Sequence, residues 1–370
     1  MTTNSAELLP TTPPWLKFVY KILGIVQFSY TTETTSVRAK ICARLHCVLS
    51  CAYFINFIFL CNDFSYEVKV MRYVHFLVHY GHFLHMLILV LRYFLRSDKI
   101  KEILLHLRKI RVPLECSTYN RRHSFARIFL IVSYIPSLSL YVPFRKRTDS
   151  HLFYYMYPNI VILFDLLFMN DVMDAFSEKF GRVNRQLQLV VYEVKALDQN
   201  EQRIILRNEK IQKLSYSHCE LVVLVQKVVK EFEITIIVSM VERFVNIVDC
   251  IYTVTVLVVN SEPVTSVRLW INFVFAIYLF FWLYVLVMKF SETQKVANKG
   301  GYILHEIWNK CLNKGVSGGN VRFMTLVSLR MLNTTLKFNM GGFFYLDWNF
   351  FYVVVASITT YLVILIQFYI

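Results

Sequence analysis

Seven long apolar segments constrain the fold of this chain more than any other feature of its sequence. A helix needs about 20 mostly apolar residues to cross the hydrocarbon core of a bilayer. The segments, numbered here as spans 1 to 7, cover approximately residues 45–61, 73–91, 128–144, 152–170, 234–259, 269–288 and 350–369. This pattern predicts an all-α membrane protein with seven transmembrane helices. Polar residues interrupt spans 1 and 2, whose limits are therefore the least distinct.

Lysine and arginine are distributed unevenly around these spans. Of these basic residues, 33 lie before span 1 or between spans 2 and 3, spans 4 and 5, or spans 6 and 7. The three loops on the opposite side carry 6. Because basic residues accumulate on the cytoplasmic side, we expect a cytoplasmic N-terminus. The odd number of spans then makes the C-terminus extracellular. A G-protein-coupled receptor has the opposite orientation, which disfavours that class.

The spans divide the chain into six parts, which alternate between the cytoplasmic side and the membrane. These parts are a cytoplasmic N-terminal segment (1–44), spans 1 to 4 (45–170), cytoplasmic helical extensions (171–233), spans 5 and 6 (234–288), a second cytoplasmic helical segment (289–347) and span 7 (348–370). We expect membrane lipids to surround the spans. The outer loops are too short to form an extracellular domain.

Composition excludes several other classes of protein. The chain is 56% hydrophobic and only 18% charged, whereas soluble domains are about 25% charged. Its net charge of +15 is spread over the predicted cytoplasmic loops without a compact basic patch, so we expect no nucleic-acid partner. The eight cysteines have neither zinc-ligand spacing nor a CxxC pair, and we expect no metal or cofactor. No nucleophile motif or phosphate loop indicates an enzyme.

Amphipathic patterns continue outside the spans. Near the N-terminus the pattern predicts a helix that is too short to cross the bilayer. Its apolar face suits either the membrane interface or core packing; it comprises Trp15, Phe18, Val19, Ile22, Ile25 and Val26, beside Lys17 and Lys21. Two apolar stripes follow span 4 on either side of a break near 197–202. They are Phe176, Phe180, Val183, Leu187, Val190 and Val194, then Ile204, Ile211, Leu214, His218, Leu221, Val225, Val228 and Phe232. A third helical stretch covers about 321–338, and all three suit a scaffold or contacts between subunits.

Ionisable residues inside the predicted spans form two faces. Such groups are costly in a bilayer and face a bundle interior or an aqueous cavity. Span 5 places Glu242, Asn246, Asp249 and Thr253 on one face, and Arg243 beside them has Asp165 of span 4 as its candidate partner. Span 2 places His75, His79, His82 and His85 within about 120° of arc. Both faces suit a ligand cavity or hydrogen bonds between helices, and a metal site on span 2 lacks a matching cluster on another span.

Aromatic residues with polar tips are frequent in the outward halves of the spans. They are typical of interface belts, and they also suit a mostly apolar cavity that holds a small molecule with a few polar groups. The candidate ligand-binding residues are His79, Tyr80, Tyr141, Tyr155, Asp249, Thr253 and Trp270.

The end of the chain carries its most specific motif. After Gly341-Gly342 and the start of span 7, the sequence ends with Thr360-Tyr361, five apolar residues and Gln367-Phe368. This arrangement resembles the signature of the insect gustatory receptor family, which is related to the insect odorant receptors. The resemblance extends over the whole chain in span number and orientation, and over 341–368 in motif.

The resemblance implies a function. Members of that family look like tetrameric, ligand-gated, non-selective cation channels, in which span 7 lines the pore, cytoplasmic helices form the intersubunit anchor, and a pocket among spans 1–6 binds a small molecule. It implies a homo- or hetero-tetramer with other gustatory receptor subunits. The implied pore and gate residues are Thr360, Tyr361, Leu365, Ile366, Gln367 and Phe368.

Two details of the motif refine this expectation. Tyr361 and Gln367 lie about 240° apart on a helix and cannot both face one pore axis, whereas the apolar run between them suits a constriction that gates by dewetting. Leu362 occupies a position that is commonly acidic in sugar-sensing members. A bitter-type tastant, or another apolar-aromatic small molecule, is therefore favoured over a sugar. A membrane transporter is the other alternative, although the two halves show no paired broken helices.

Overall fold

Helices make up almost all of the part of the chain that the structure, a computed structural model, describes. That part comprises residues 9, 12–28, 37–61, 69–110, 130, 131, 134, 150–195, 201–259, 267–313 and 318–369. Most of span 3, including the candidate Tyr141, lies outside it.

Eight helices and one two-stranded sheet are present in these described residues. The helices are α1 (Pro14–Ile22), α2 (Val37–Cys61), α3 (Lys69–Lys109), α4 (Ser150–Lys195), α5 (Glu201–Val259), α6 (Val267–Asn313), α7 (Gly318–Asn333) and α8 (Trp348–Tyr369). The antiparallel strands are β1 (Asn339–Met340) and β2 (Phe344–Tyr345).

Four of the helices are much longer than a membrane span. Helices α3, α4, α5 and α6 contain 41, 46, 59 and 47 residues. At 1.5 Å per residue α5 is roughly 90 Å long, about three times the thickness of the hydrocarbon core. The helix of span 4 therefore continues beyond residue 170, as its amphipathic pattern predicted. The predicted boundaries at 171, 234 and 289 fall inside continuous helices.

Hydropathy distinguishes one of these helices from the others. Within the described residues, only Leu269–Lys310 is long and apolar enough to cross a membrane by length and composition, with a hydropathy of 2.3, and Trp348–Ile364 is a shorter apolar stretch. The apolar segments of α4 and α5 are interrupted by three buried charged residues, Asp165, Glu242 and Arg243. The total of seven spans remains a prediction.

The two amphipathic stripes after span 4 form the interior of the bundle formed by α4, α5 and α6. The stripe residues from Phe176 to Val190 and from Ile211 to Phe232 are buried, as predicted; the side chains of Val194 and Ile204 lie outside the description. Asn184 donates a hydrogen bond to the carbonyl of Val296 (2.7 Å), and His218 donates to that of Ala297 (2.8 Å). Burial lowers the pKa of His218, which keeps this imidazole neutral.

Close packing of α6 against α4 and α5 depends on one glycine. A Cβ atom at Gly300 would lie 2.8 Å from Oδ1 of Asn184 and 3.0 Å from the ring of His218. Helix α7 then packs on the far end of α6, where the indole of Trp308 donates to Thr325 (2.9 Å). The third predicted stretch is thus helical but is displaced, because α7 ends at Asn333 and an extended segment follows.

Helix α1 presents two different faces. Leu16 and Tyr20 are buried, whereas Trp15, Phe18 and Ile22 are exposed. The prediction that Ile25 and Val26 belong to one face of this helix is wrong, because the helix ends at Ile22; both residues are buried. The core-facing side is held to α4, since Thr12 and Tyr20 both donate hydrogen bonds to one oxygen of Asp171 (2.9 and 3.0 Å).

A tight hairpin connects the long helices to α8. Gly341 and Gly342 have φ angles of 60° and 79°, which side chains disfavour. The N–H of Gly341 donates to the carboxylate of Glu233 on α5, and the N–H of Gly342 donates to Oδ1 of Asn339 (3.1 Å). Asp347 then caps α8 by accepting from the N–H of Phe350 (3.0 Å). The hairpin thereby fixes where α8 starts relative to α5.

The two hairpin glycines allow a matched test of this attachment. A Cβ at Gly341 would lie 3.3 Å from Ile237 and 3.1 Å from the ring of Phe343, whereas a Cβ at Gly342 meets nothing within 4 Å. Both alanine variants incur the left-handed backbone cost of about 1–2 kcal/mol. We expect Gly341→Ala to lower the melting temperature of the purified chain further than Gly342→Ala does. Equal melting temperatures would show that close packing of Gly341 against Ile237 of α5 does not contribute to the stability of the chain.

Candidate functional site

A buried ion cluster lies between α3 and α5 at the depth of the predicted spans. The carboxylate of Glu242 contacts the imidazole of His82, lies 3.4 Å from Nδ1 of His85 and 3.1 Å from Nε of Arg243. All four residues are buried. Ser239 is 2.7 Å from the other ring nitrogen of His85 and holds that ring in place. Paired and hydrogen-bonded groups are the usual form in which charge is tolerated inside a protein.

The guanidinium of Arg243 extends this cluster to α4 and α6. Its Nη1 donates a hydrogen bond to Oδ1 of Asn159 (3.0 Å), and its central carbon lies 5.2 Å from the ring centroid of Trp282. This distance is within the range of a cation–π interaction. One side chain therefore joins three helices in the bundle interior.

A second buried pair lies closer to the predicted cytoplasmic end of the spans. Nη2 of Arg92 lies 2.7 Å from Oδ1 of Asp165, and the guanidinium packs over the rings of Tyr93 (4.1 Å) and Phe232 (4.5 Å). The hydroxyl of Tyr93 donates to the same carboxylate, and Arg92 also donates to Thr235. This pair joins α3, α4 and α5.

These contacts correct one predicted pairing and distinguish between the two interpretations of the histidine face on α3. Asp165 does not pair with Arg243, because Arg92 from α3 takes that position and Arg243 turns towards Glu242. His82 and His85 make contacts between helices, as one of the two interpretations of their face predicted. No group of three possible metal ligands occurs in the described part of the chain, and the side chains of His75 and His79 lie outside it.

Among the described residues, helix α8 contacts α5 and α6 along one side only. Tyr361 meets Phe244 of α5 edge-on at 5.6 Å, and Trp348 and Phe351 pack on Tyr284 of α6 at 5.6 and 6.4 Å. The other side is exposed and largely apolar; it includes Tyr352, Val353, Val363 and Ile364. An apolar surface of this kind marks contact with lipid or with another chain.

The candidate gate residues all lie on α8, and they do not share one environment. Tyr361 is 53% exposed and Ile366 is half-buried, while Thr360 and Gln367 are exposed. The hydroxyl of Thr360 donates back to the carbonyl of Ala356 (3.1 Å). The side chains of Leu365 and Phe368 lie outside the description.

The candidate ligand-binding residues are not brought together as one described site. Tyr80 packs against the core from α3, Asp249 and Thr253 are half-buried on α5, and Trp270 is 46% exposed beside Phe273 on α6. His79 and Tyr155 belong to α3 and α4, but their side chains, like all of Tyr141, are outside the described residues.

Sequence reasoning missed the aromatic residues that adjoin Arg243. Tyr278 and Trp282 of α6 are completely buried, and Tyr134 lies against Tyr278 with ring centroids 5.4 Å apart. The signal was available, because two polar-tipped aromatics four residues apart share a helix face.

Comparison with known proteins agrees with this architecture. The sequence model of a family described as 7tm Chemosensory receptor matches residues 16–370. Comparison with curated protein sequences finds no match. Among solved structures, the insect olfactory receptor OR5 from Machilis hrabei matches with a TM-score of 0.69 and 14% identity, over 95% of this chain and 97% of that one. OR5 in complex with eugenol matches with a TM-score of 0.72 and 13% identity over the same shares. At this level of identity, the two matches establish a common fold.

Proposed function

The chain belongs to the 7tm chemosensory receptor family, and from this premise we propose that it is a subunit of a ligand-gated, non-selective cation channel. The family is one of membrane receptors and not of enzymes. Four subunits would surround one pore, and a small molecule bound inside each subunit would favour the open state. The whole-length match to an insect olfactory receptor fold favours this proposal over a transporter or a G-protein-coupled receptor.

The observation that carries the proposal is the one-sided attachment of α8. This helix is apolar and 22 residues long, and none of the described residues covers its exposed side. Packing α8 of four copies around an axis would cover that side and line a pore with it. Its other side remains in contact with α5 through Phe244 and Tyr361, so a movement of α5 would reach the pore.

The ligand class follows from the nature of the bundle interior and from the comparison. The OR5 structure was solved with eugenol, a small uncharged aromatic molecule. We propose that this chain also binds a small organic molecule among its long helices. The C-terminal motif supports a gustatory receptor in the plasma membrane, with a cytoplasmic N-terminus, and Leu362 supports a bitter-type tastant over a sugar.

Recording currents tests the proposal directly. Cells that express the full chain, alone and with co-expressed gustatory receptor subunits, are expected to show cation currents when a panel of bitter and aromatic compounds is applied. Epitope tags at the two ends report the orientation, with the N-terminal tag accessible only after permeabilisation. Normal surface levels without any evoked current across the panel would contradict the channel proposal, and an externally accessible N-terminus would contradict the topology.

A further inference from the structure

Five residues from α5, α6 and span 3 form a buried aromatic cluster that includes one arginine. These residues, called the inner aromatic cluster below, are Tyr134, Arg243, Phe275, Tyr278 and Trp282. Tyr278 stacks on Phe275 at 5.9 Å and lies against Tyr134 at 5.4 Å. The guanidinium of Arg243 lies over the ring of Trp282 at 5.2 Å.

Three hydrogen-bond donors in this cluster lack a partner in the part of the chain that the structure describes. The hydroxyl of Tyr278, the indole N–H of Trp282 and Nη2 of Arg243 have no hydrogen-bond partner among the described residues. The exposed fractions of these three side chains are at most 1%. Leaving a buried donor without an acceptor is unfavourable, and native interiors contain few such groups. Three unpartnered donors within one buried cluster indicate a position where an acceptor binds.

Charge limits what that acceptor can be. Arg243 is already compensated by the carboxylate of Glu242, 3.1 Å from its Nε. A ligand with a carboxylate or an ammonium group would add a charge that nothing nearby offsets, and burying it would be costly. The aromatic walls formed by Phe275, Tyr134 and Tyr278 suit a flat apolar ring instead.

We propose that the inner aromatic cluster is the subsite that selects the ligand, and that it takes an uncharged aromatic molecule with one hydrogen-bond acceptor. The acceptor oxygen meets the donors of Tyr278, Trp282 and Arg243, and the ring packs against the aromatic walls. This inference rests on the proposed receptor function and places ligand recognition deeper in the bundle than the outward residues Tyr80 and Trp270. None of the residues predicted from sequence as ligand contacts belongs to the cluster.

Three small probes separate the contributions of shape, acceptor and charge. Acetophenone carries a carbonyl oxygen, ethylbenzene has the same ring and chain without it, and benzoate carries a charge. Binding is measured as the probe-dependent rise in melting temperature of the full chain in lipid nanodiscs. We expect acetophenone to bind at least about tenfold more tightly than ethylbenzene, and benzoate to bind most weakly.

Substitutions then assign the difference to the cluster. Tyr278→Phe and Trp282→Phe each remove one donor and keep an aromatic ring, and together they are expected to weaken acetophenone binding about tenfold while ethylbenzene changes less than about twofold. Tyr302→Phe is the matched control, because Tyr302 lies on the same helix and is 70% exposed. If the double variant does not fold, Tyr278→Phe alone and the three probes on the unaltered chain still decide the outcome.

Several results would overturn the proposal. They are equal affinities for acetophenone and ethylbenzene, tightest binding of benzoate, no binding of any probe, or a preference for acetophenone that survives the double substitution. A purely structural cluster would change the melting temperature of the unliganded variants and leave the probe-dependent shift unaltered. Binding without current would contradict the channel proposal alone, whereas evoked current that is insensitive to Tyr278 and Trp282 would contradict the subsite alone.

Discussion

Replacing Arg243 with methionine is expected to destabilise the chain by about 3 kcal/mol, the lower end of the cost of breaking a buried ion pair. The substitution leaves Glu242 without its guanidinium partner and Asn159 without its donor. The effect falls at the lower end because His82 and His85 also contact this carboxylate and remain as its partners. The measurement is the melting temperature of the detergent-solubilised full chain, together with its level at the cell surface.

A second variant distinguishes loss of charge balance from loss of packing. Glu242→Gln combined with Arg243→Met removes both charges, so much of the lost stability should return, because replacing an entire buried pair is often neutral. Arg44→Met is the control, since Arg44 is an exposed arginine on α2, and such changes are usually within about 0.5 kcal/mol. A double variant as unstable as Arg243→Met would show that the guanidinium acts through its contacts with Asn159 and Trp282 rather than by compensating Glu242.

Periodicity accounted for the parts of the fold in which burial follows the helix repeat. The stripes from Phe176 to Val190 and from Ile211 to Phe232 are buried because apolar residues at three- and four-residue spacing share one face. The end of α1 could not be predicted in this way, since Ile25 and Val26 fit the repeat but follow the last helical residue, Ile22. A turn is determined by the local backbone there, where Gly24 has a φ of 70°.

Pairing between helices was less accessible from the sequence. Arg243 and Asp165 are both at membrane depth, and composition alone made them plausible partners. The actual partner of Asp165, Arg92, follows the predicted end of span 2 and was counted with a cytoplasmic loop. Because α3 continues without a break to Lys109, Arg92 reaches the bundle interior. The apolar content of the sequence underestimates the length of α3, and that length determines that Arg92 meets Asp165.

Successive residues of α5 connect the two parts of the candidate site. Glu242 and Arg243 face the bundle interior, where Arg243 adjoins Trp282 of the inner aromatic cluster. The next residue, Phe244, packs edge-on against Tyr361 of α8. Since adjacent helix positions differ by about 100°, a small rotation of α5 would move both contacts together. A ligand that changes the position of Arg243 would thereby act on the helix proposed to line the pore.

The largest functional effect is expected from making the proposed gate polar. In Ile366→Thr and Leu365→Thr, a hydroxyl replaces an apolar group in the run between Tyr361 and Gln367, and hydration of that run opposes closure by dewetting. A hydroxyl favours the hydrated state by roughly 1 kcal/mol, which corresponds to about a fivefold change in an equilibrium. Current in the absence of ligand should therefore rise at least about fivefold, with four copies contributing in the proposed tetramer. Ile366→Val keeps the position apolar and should leave that current unchanged. Unaltered basal current in both threonine variants, at normal surface levels, would place the gate elsewhere on α8.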